Sequence, residues 1–119
     1  MEQLSQYLNR KVTFLDDCVG EDIISKVQNA RNEVFLCENV RFHVEEEGSQ
    51  KNAEGKKIKA DPEKVKAFRN QLSQLGSVYV NDAFGTAHRA HSSVVGINHR
   101  FRVAGHLMKK ELSYLGNFL

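Results

Sequence analysis

Residues 11–37 read KVTFLDDCVGEDIISKVQNARNEVFLC. The two ends of this stretch, Lys11–Leu15 and Glu33–Cys37, are almost continuously apolar and rich in β-branched and aromatic residues, which is typical of strands covered on both faces. Between them, Asp22–Ala30 places its apolar residues on one face of a helix. Strand, helix and strand in this order predict a right-handed crossover that joins two parallel strands.

The same alternation continues towards the C-terminus. Ser77–Asn81 is a third strand-like run, and Glu63–Leu75 forms a helical pattern before it, with Asp61 as the expected N-cap and Pro62, the only proline, at the first helical position. We therefore predict an α/β fold, a partial parallel β-sheet with flanking helices of the Rossmann-like type. Helices are also expected at the two ends, over Met1–Asn9 and Gly105–Phe118.

Function is expected in two loops, because ligands of such sheets bind beyond the carboxyl ends of the strands. Glu38–Val44 follows the second predicted strand, and Asp82–Ser93 follows the third. The polar segment Glu45–Lys59 is predicted to be a solvated loop or a small hairpin. Its three leading glutamates are interpreted as a solvated turn rather than a magnesium site.

Composition excludes some classes of binding partner and indicates a cellular compartment. The net charge is only +2, from 17 basic and 15 acidic residues, so neither nucleic acid nor an acidic membrane is a predicted partner. No apolar run approaches the ~20 residues of a membrane span, and we expect a soluble, cytoplasmic protein. Cys18 and Cys37 are predicted to be reduced, buried thiols, with a disulfide or a metal site as the alternatives.

Residue types alone indicate no catalytic constellation. Ser92 and Ser93 follow His88 and His91, but no carboxylate lies nearby to orient a histidine. The two histidines lack an evident third partner for a metal. Neither a GxxxxGK[ST] nor a GxGxxG motif is present, so a nucleotide-phosphate cradle is not predicted. The sequence therefore nominates no catalytic residue and no metal ligand.

The two loops are instead rich in cationic groups. Arg41 and Arg89 lie in different loops, and two guanidiniums could grip a carboxylate and a phosphate bidentately. Gly85 would let backbone N–H groups approach an anion, and His88 and His91 stand beside Arg89. The sequence thus predicts a site for a small anion. The alternative is that both arginines form ordinary surface ion pairs.

Three strings in these regions carry a resemblance to a known family. They are NDAFGTAHRAHSS at Asn81–Ser93, ENVRFHVEEEG at Glu38–Gly48 and VAGHLMKKEL at Val103–Leu112. In sequence, order and spacing they are similar to phosphoglycerate kinases. The resemblance implies a two-domain glycolytic kinase that transfers a phosphoryl group between 1,3-bisphosphoglycerate and ADP, giving 3-phosphoglycerate and ATP.

The resemblance also implies roles for individual residues. Arg41 and Arg89 would bind 3-phosphoglycerate or 1,3-bisphosphoglycerate, Gly85 would offer backbone contacts, and His88 and His91 would extend the basic patch. In the family the nucleotide, as Mg-ATP or Mg-ADP, binds to the C-terminal domain. A monomer is expected for the full-length enzyme.

Several family features are not found in the sequence. They include an Arg-Val-Asp-Phe-Asn strand, a His-Leu-Gly-Arg-Pro loop and the Gly-Gly-Ala-Lys loop of the nucleotide domain; Ile97–Arg102 and His106 also depart from the family pattern. We therefore expect residues 1–119 to be part of the N-terminal domain, without a nucleotide site and inactive alone. The alternative is a catalytically dead product that only binds anions or phosphoglycerate. Without central strands, apolar side chains are expected to be exposed at Val12, Phe14, Val34 and Leu36.

Overall fold

The computed structural model describes residues 2–83, 85 and 89–116, and their order of elements is that of an α/β protein. Helices and strands alternate along most of this length, as the sequence predicts. The elements are α1 (Glu2–Leu8), β1 (Val12–Leu15), α2 (Glu21–Asn29), β2 (Val34–Cys37), a 3₁₀ turn (Val40–Phe42), α3 (Val44–Glu47), β3 (Ser49–Lys51), β4 (Lys57–Lys59), α4 (Pro62–Ser73), β5 (Val78–Asn81), α5 (Ser92–Val95), β6 (Phe101–Ala104) and α6 (His106–Gly116).

The strands form three pairs rather than one sheet. β1 and β2 are parallel, with Val12 opposite Val34 and Leu15 opposite Cys37, which confirms the predicted parallel pairing. β5 pairs in parallel with β6, and β3 with β4 forms an antiparallel hairpin. In the described residues, the predicted partial parallel sheet is therefore present as two separate parallel pairs, with β2 in one and β5 in the other.

Strand β6 escaped prediction because it lacks the pattern of a buried strand. All four of its residues, Phe101–Ala104, are exposed, and Arg102 interrupts the apolar run. The Arg102 guanidinium lies over the Tyr79 ring of β5, 4.7 Å from the ring centroid. This cation–π contact across the strand pair is a local stabilising feature that periodicity does not reveal.

Helix α4 begins where its local signals place it. Asp61 is the N-cap, its carboxylate accepts the Glu63 N–H at 3.0 Å, and Pro62 occupies the first turn. The apolar face of the helix buries Phe68 and Leu72. These two side chains and Cys18 form the core beneath the loops that follow β1 and β2; the partly buried residues around them are Val19, Cys37, Val40, Leu75 and Ile97.

The predicted exposure of strand side chains is correct for only some of them. Phe14 is 42% exposed and Leu36 is 39% exposed, as expected for a strand pair without further neighbours. Val12, however, is buried, and Val34 is half-buried. Helix α1 packs on β1 and covers its start, where the Ser5 hydroxyl accepts the Val12 N–H at 3.2 Å.

Both cysteines are free thiols, as predicted, but only Cys18 is fully buried, whereas Cys37 is half-buried. Among the described residues, no helix has the length and apolar character needed to cross a bilayer.

Candidate functional site

The polar segment after the 3₁₀ turn is more ordered than a solvated turn. Its later part forms the β3–β4 hairpin, which was one of the predicted forms, and its first residues form α3. Within α3, Glu46 is only 2% exposed, so the prediction of a solvated turn is wrong for this residue. The reason is that α3 packs against both α4 and α5.

Glu46 is held by residues at the start of α5. The Ser93 N–H donates to Glu46 Oε2 at 2.9 Å, and the Ser93 hydroxyl donates to Glu46 Oε1. His91 Nδ1 lies 3.9 Å from Glu46 Oε1, and the His91 side chain is nearly buried. The carboxylate is therefore desolvated but hydrogen-bonded, as a buried charge requires.

Ser92 adds a second connection between the same elements. Its side chain is completely buried, its hydroxyl donates to the Glu45 carbonyl oxygen at 2.6 Å, and it accepts from Arg69 Nε at 3.1 Å. Because Arg69 belongs to α4, this hydroxyl links α3, α4 and α5. We call the group formed by Glu46, Arg69, His91, Ser92 and Ser93 the Glu46 junction. In the described part of the chain, no buried side-chain nitrogen or oxygen lacks a partner.

Arg41 stands on the 3₁₀ turn directly beyond β2. The turn is capped by Asn39, whose side chain accepts the Arg41 N–H at 3.0 Å. Arg41 Nε lies 3.7 Å from Glu47 Oε1, and both side chains are 44% exposed. An ion pair this exposed contributes little, so the guanidinium can exchange Glu47 for another anion. A cavity of about 140 Å³ opens here; its lining is Arg41, His43, Val44, Glu47, Ser49 and Gln50.

The other predicted site residues lie beyond β5. Arg89 and Gly85 are exposed, and among the described residues, chain neighbours aside, no heavy atom lies within 4 Å of the point that a Gly85 β-carbon would occupy. His88 lies outside the described residues. His91 faces Glu46 rather than solvent. A direct role for His91 and His88 in the basic patch stays a prediction.

The two arginine loops are connected through helices, not through adjacent strands. Arg41 precedes α3, Arg89 precedes α5, and these helices pack together through the Glu46 junction. The sequence does not reveal this connection, because Glu46 is one of three consecutive glutamates and nothing local distinguishes the one that is buried. The two loops are thus connected by the packing of α3 on α5.

A second polar cluster follows β1. Asp17, Cys18 and His43 each offer one atom that could bind a metal, and these three atoms all lie within 4.8 Å of one another. The trio therefore has the ligand types for a divalent metal. In the structure, however, His43 Nε2 lies 2.7 Å from Asp17 Oδ1, and burial raises the pKa of Cys18 to about 12. The thiol is therefore protonated at neutral pH, and the cluster as described is a hydrogen-bonded one.

Comparison with known proteins places the whole chain in one family. The phosphoglycerate kinase family profile matches residues 1–119. Phosphoglycerate kinases of Glaucoma chattoni and Agaricus bisporus are 56% and 61% identical to the chain over 100% and 98% of its length, and it covers 32% and 28% of theirs. The crystal structure of phosphoglycerate kinase from Pyrococcus horikoshii OT3 superimposes with a TM-score of 0.74 at 31% identity, covering 98% of this chain and 27% of that one.

The fold is thus that of an α/β protein whose polar loops follow its parallel strands. The chain belongs to the phosphoglycerate kinase family. It spans about 30% of the length of the curated relatives cited, with values of 32% and 28%.

Proposed function

We propose that residues 1–119 supply the phosphoglycerate-binding loops of a phosphoglycerate kinase, which transfers a phosphoryl group between 1,3-bisphosphoglycerate and ADP. The observation that carries the proposal is the family match over the entire chain, which includes both arginine loops. The packing of α3 on α5 supports it, because this packing connects the helices that follow the two arginines.

The chemistry of the loops suits a small phosphorylated acid. Phosphoryl transfer depends mainly on positioning and on neutralising charge, so a binding surface of guanidiniums and backbone N–H groups needs no nucleophile. In the proposal Arg41 and Arg89 bind the phosphate and carboxylate of 3-phosphoglycerate, and Gly85 lets the ligand approach the backbone. In this proposal His88 extends the basic surface, whereas His91 faces Glu46 and is nearly buried, so no direct contact with the ligand is assigned to it.

The family resemblance implies that Mg-ATP and Mg-ADP bind to the C-terminal domain of the whole enzyme. We therefore assign the nucleotide to a part of the whole enzyme outside residues 1–119. We further propose a cytoplasmic, monomeric enzyme, as the family resemblance implies.

It follows that the 119 residues alone do not turn over substrate. Bringing two substrates together supplies a large part of the rate acceleration in such a reaction, and in this proposal the nucleotide binds outside residues 1–119. A coupled assay of the isolated chain with 1,3-bisphosphoglycerate and ADP should give the rate of a protein-free control. Formation of ATP above that rate would contradict this part of the proposal.

The proposal is tested by a chimaera. The 119 residues replace the matching segment of the Agaricus bisporus enzyme, with which the chain is 61% identical over 118 residues. We expect the chimaera to convert 3-phosphoglycerate and ATP, whereas the same enzyme lacking the segment should not. A folded chimaera that binds nucleotide but neither binds nor converts 3-phosphoglycerate would show that the segment does not have this function.

A further inference from the structure

The Glu46 junction contains a buried charge that substrate binding, as proposed, does not use. Glu46 is 2% exposed, although glutamate is almost never fully buried unless it is paired. Its partners come from a segment 47 residues further along the chain. A long-range, fully satisfied buried carboxylate fixes the relative position of the two segments that it joins.

The segments joined here are the continuations of the two arginine loops. Glu46 is five residues after Arg41. It lies on α3, and only His43 separates this helix from the 3₁₀ turn. Ser93 is four residues after Arg89, in the first turn of α5. A shift of α5 against α3 would therefore change the distance between the two guanidiniums.

We propose that Glu46 is a positioning residue that holds the Arg89 loop against the Arg41 loop, so that both arginines reach one phosphoglycerate molecule. This inference rests on the proposed function, since it assigns to Glu46 the spacing that the function requires. Glu46 does not touch the ligand in this account. It acts through Ser93.

Glutamate suits this role because its two oxygens bind two different groups of one residue. Oε2 accepts the Ser93 N–H and Oε1 accepts the Ser93 hydroxyl, so α5 cannot turn about a single hydrogen bond. Glutamine has the same shape and keeps an acceptor for the N–H, and its amide can donate to the hydroxyl. Alanine removes both bonds and leaves the Ser93 N–H without its partner.

The test uses the chimaera with Glu46→Ala, Glu46→Gln and Ser93→Ala. We expect Glu46→Ala to raise KM for 3-phosphoglycerate at least ~10-fold, because small displacements of binding groups cost up to ~100-fold. KM for ATP should stay within about twofold, since its site lies elsewhere. Glu46→Gln should recover most of the loss, and Ser93→Ala should lie between the two.

Glu45→Ala is the matched control. Glu45 neighbours Glu46 on α3, and its contact with the junction is made by its carbonyl oxygen, which the substitution retains. Its kinetics should equal those of the unsubstituted chimaera. An equal rise in KM for both substrates would indicate general damage to the fold and would overturn the inference.

Folding failure of Glu46→Ala does not prevent a decision, because Glu46→Gln and Ser93→Ala are gentler changes. If Glu46→Ala folds and leaves KM for 3-phosphoglycerate within twofold, the positioning role is wrong. If it does not fold, the same result for Ser93→Ala overturns the role. An inactive unsubstituted chimaera would instead refute the proposed function itself, so the two failures are distinguishable.

Discussion

His43 Nε2 lies 2.7 Å from Asp17 Oδ1, and this contact joins the loop after β1 to the loop after β2. The His43 ring also packs on Phe68 of the core, with 5.2 Å between the ring centroids. The loop that carries Arg41 is therefore tied to the core from one side by His43 and to α5 from the other side by Glu46. Two separate polar contacts thus hold the candidate site in place.

The Asp17 contact should make stability depend on pH. Burial alone would raise the pKa of Asp17, but hydrogen bonds from His43 and from two backbone N–H groups lower it below the ordinary value of 3.8. A carboxyl group with a lowered pKa stabilises the fold above that value, and the contribution is lost as pH falls below it. Asp17→Asn should therefore cost about 1 kcal/mol or less at neutral pH, since the group is partly exposed, and almost nothing near pH 2.

Urea unfolding of the 119-residue chain at both pH values would measure this difference. Asp16→Asn is the control, because Asp16 is the exposed neighbour, and it should change the free energy of unfolding by less than about 0.5 kcal/mol. A loss for Asp17→Asn that is the same at both pH values would show that the carboxylate charge is not responsible.

The two thiols should react slowly in the folded chain. Burial, and secondly the Asp17 carboxylate, raises the pKa of Cys18 to about 12, and the same causes raise the pKa of Cys37. Because the thiolate is the reactive form, iodoacetamide at pH 8 should modify both slowly, and Cys18 more slowly because it is the more buried. Mass spectrometry over time would follow each cysteine. Equal rates for Cys18 in native and urea-unfolded chain would contradict the described burial.

Asp82 should stabilise the start of α6. Its Oδ1 accepts the Leu107 N–H at 2.7 Å and the Met108 N–H at 3.2 Å, so it satisfies two of the free donors at this helix end. Asp82→Ala should lower the free energy of unfolding by about 0.5–2 kcal/mol, which is typical of a lost cap. Lys109→Ala, at an exposed position of the same helix, should have little effect. Urea denaturation followed by circular dichroism would compare them.

Gly105 should be sensitive for a related reason. A β-carbon at this position would collide with the Asp82 side chain, so Gly105→Ala must displace the cap. We expect the substitution to destabilise the chain, and we expect the double variant Asp82→Ala with Gly105→Ala to lose less than the sum of the two single losses. Strictly additive losses would show that the two residues do not compete for the same space.

How much of this the sequence predicts depends on how local each feature is. The start of α4 was predictable because Asp61 and Pro62 act within one turn, and the β1–β2 pairing because the intervening helix leaves little alternative. Strand β6 was not predictable, because its residues are exposed. A short stretch of sequence also cannot show which strand it pairs with. The burial of Glu46 was not predictable either, since it depends on a contact with a segment 47 residues away.

The same difference between local and long-range features applies to the candidate site. The positions of Arg41 and Arg89 beyond strand ends follow from the order of elements. Their connection through α3 and α5 does not, because helix packing is decided by the whole fold. The α/β fold class is predictable from the order of strand-like and helical patterns, and the family is predictable because the resemblance rests on long strings of sequence.

The most direct test of the account is a calorimetric titration of the chimaera with 3-phosphoglycerate. Truncating an arginine that pairs with a buried anion costs ~2–5 kcal/mol, so Arg41→Ala and Arg89→Ala should each raise Kd at least ~10-fold. Arg89→Lys should recover only part of the loss, and Kd for ATP should not change. Arg31→Ala, before the amino end of β2, is the control and should bind like the unsubstituted chimaera. If Arg41→Ala and Arg89→Ala also bind 3-phosphoglycerate like the unsubstituted chimaera, the arginines are ordinary surface residues and the account is wrong.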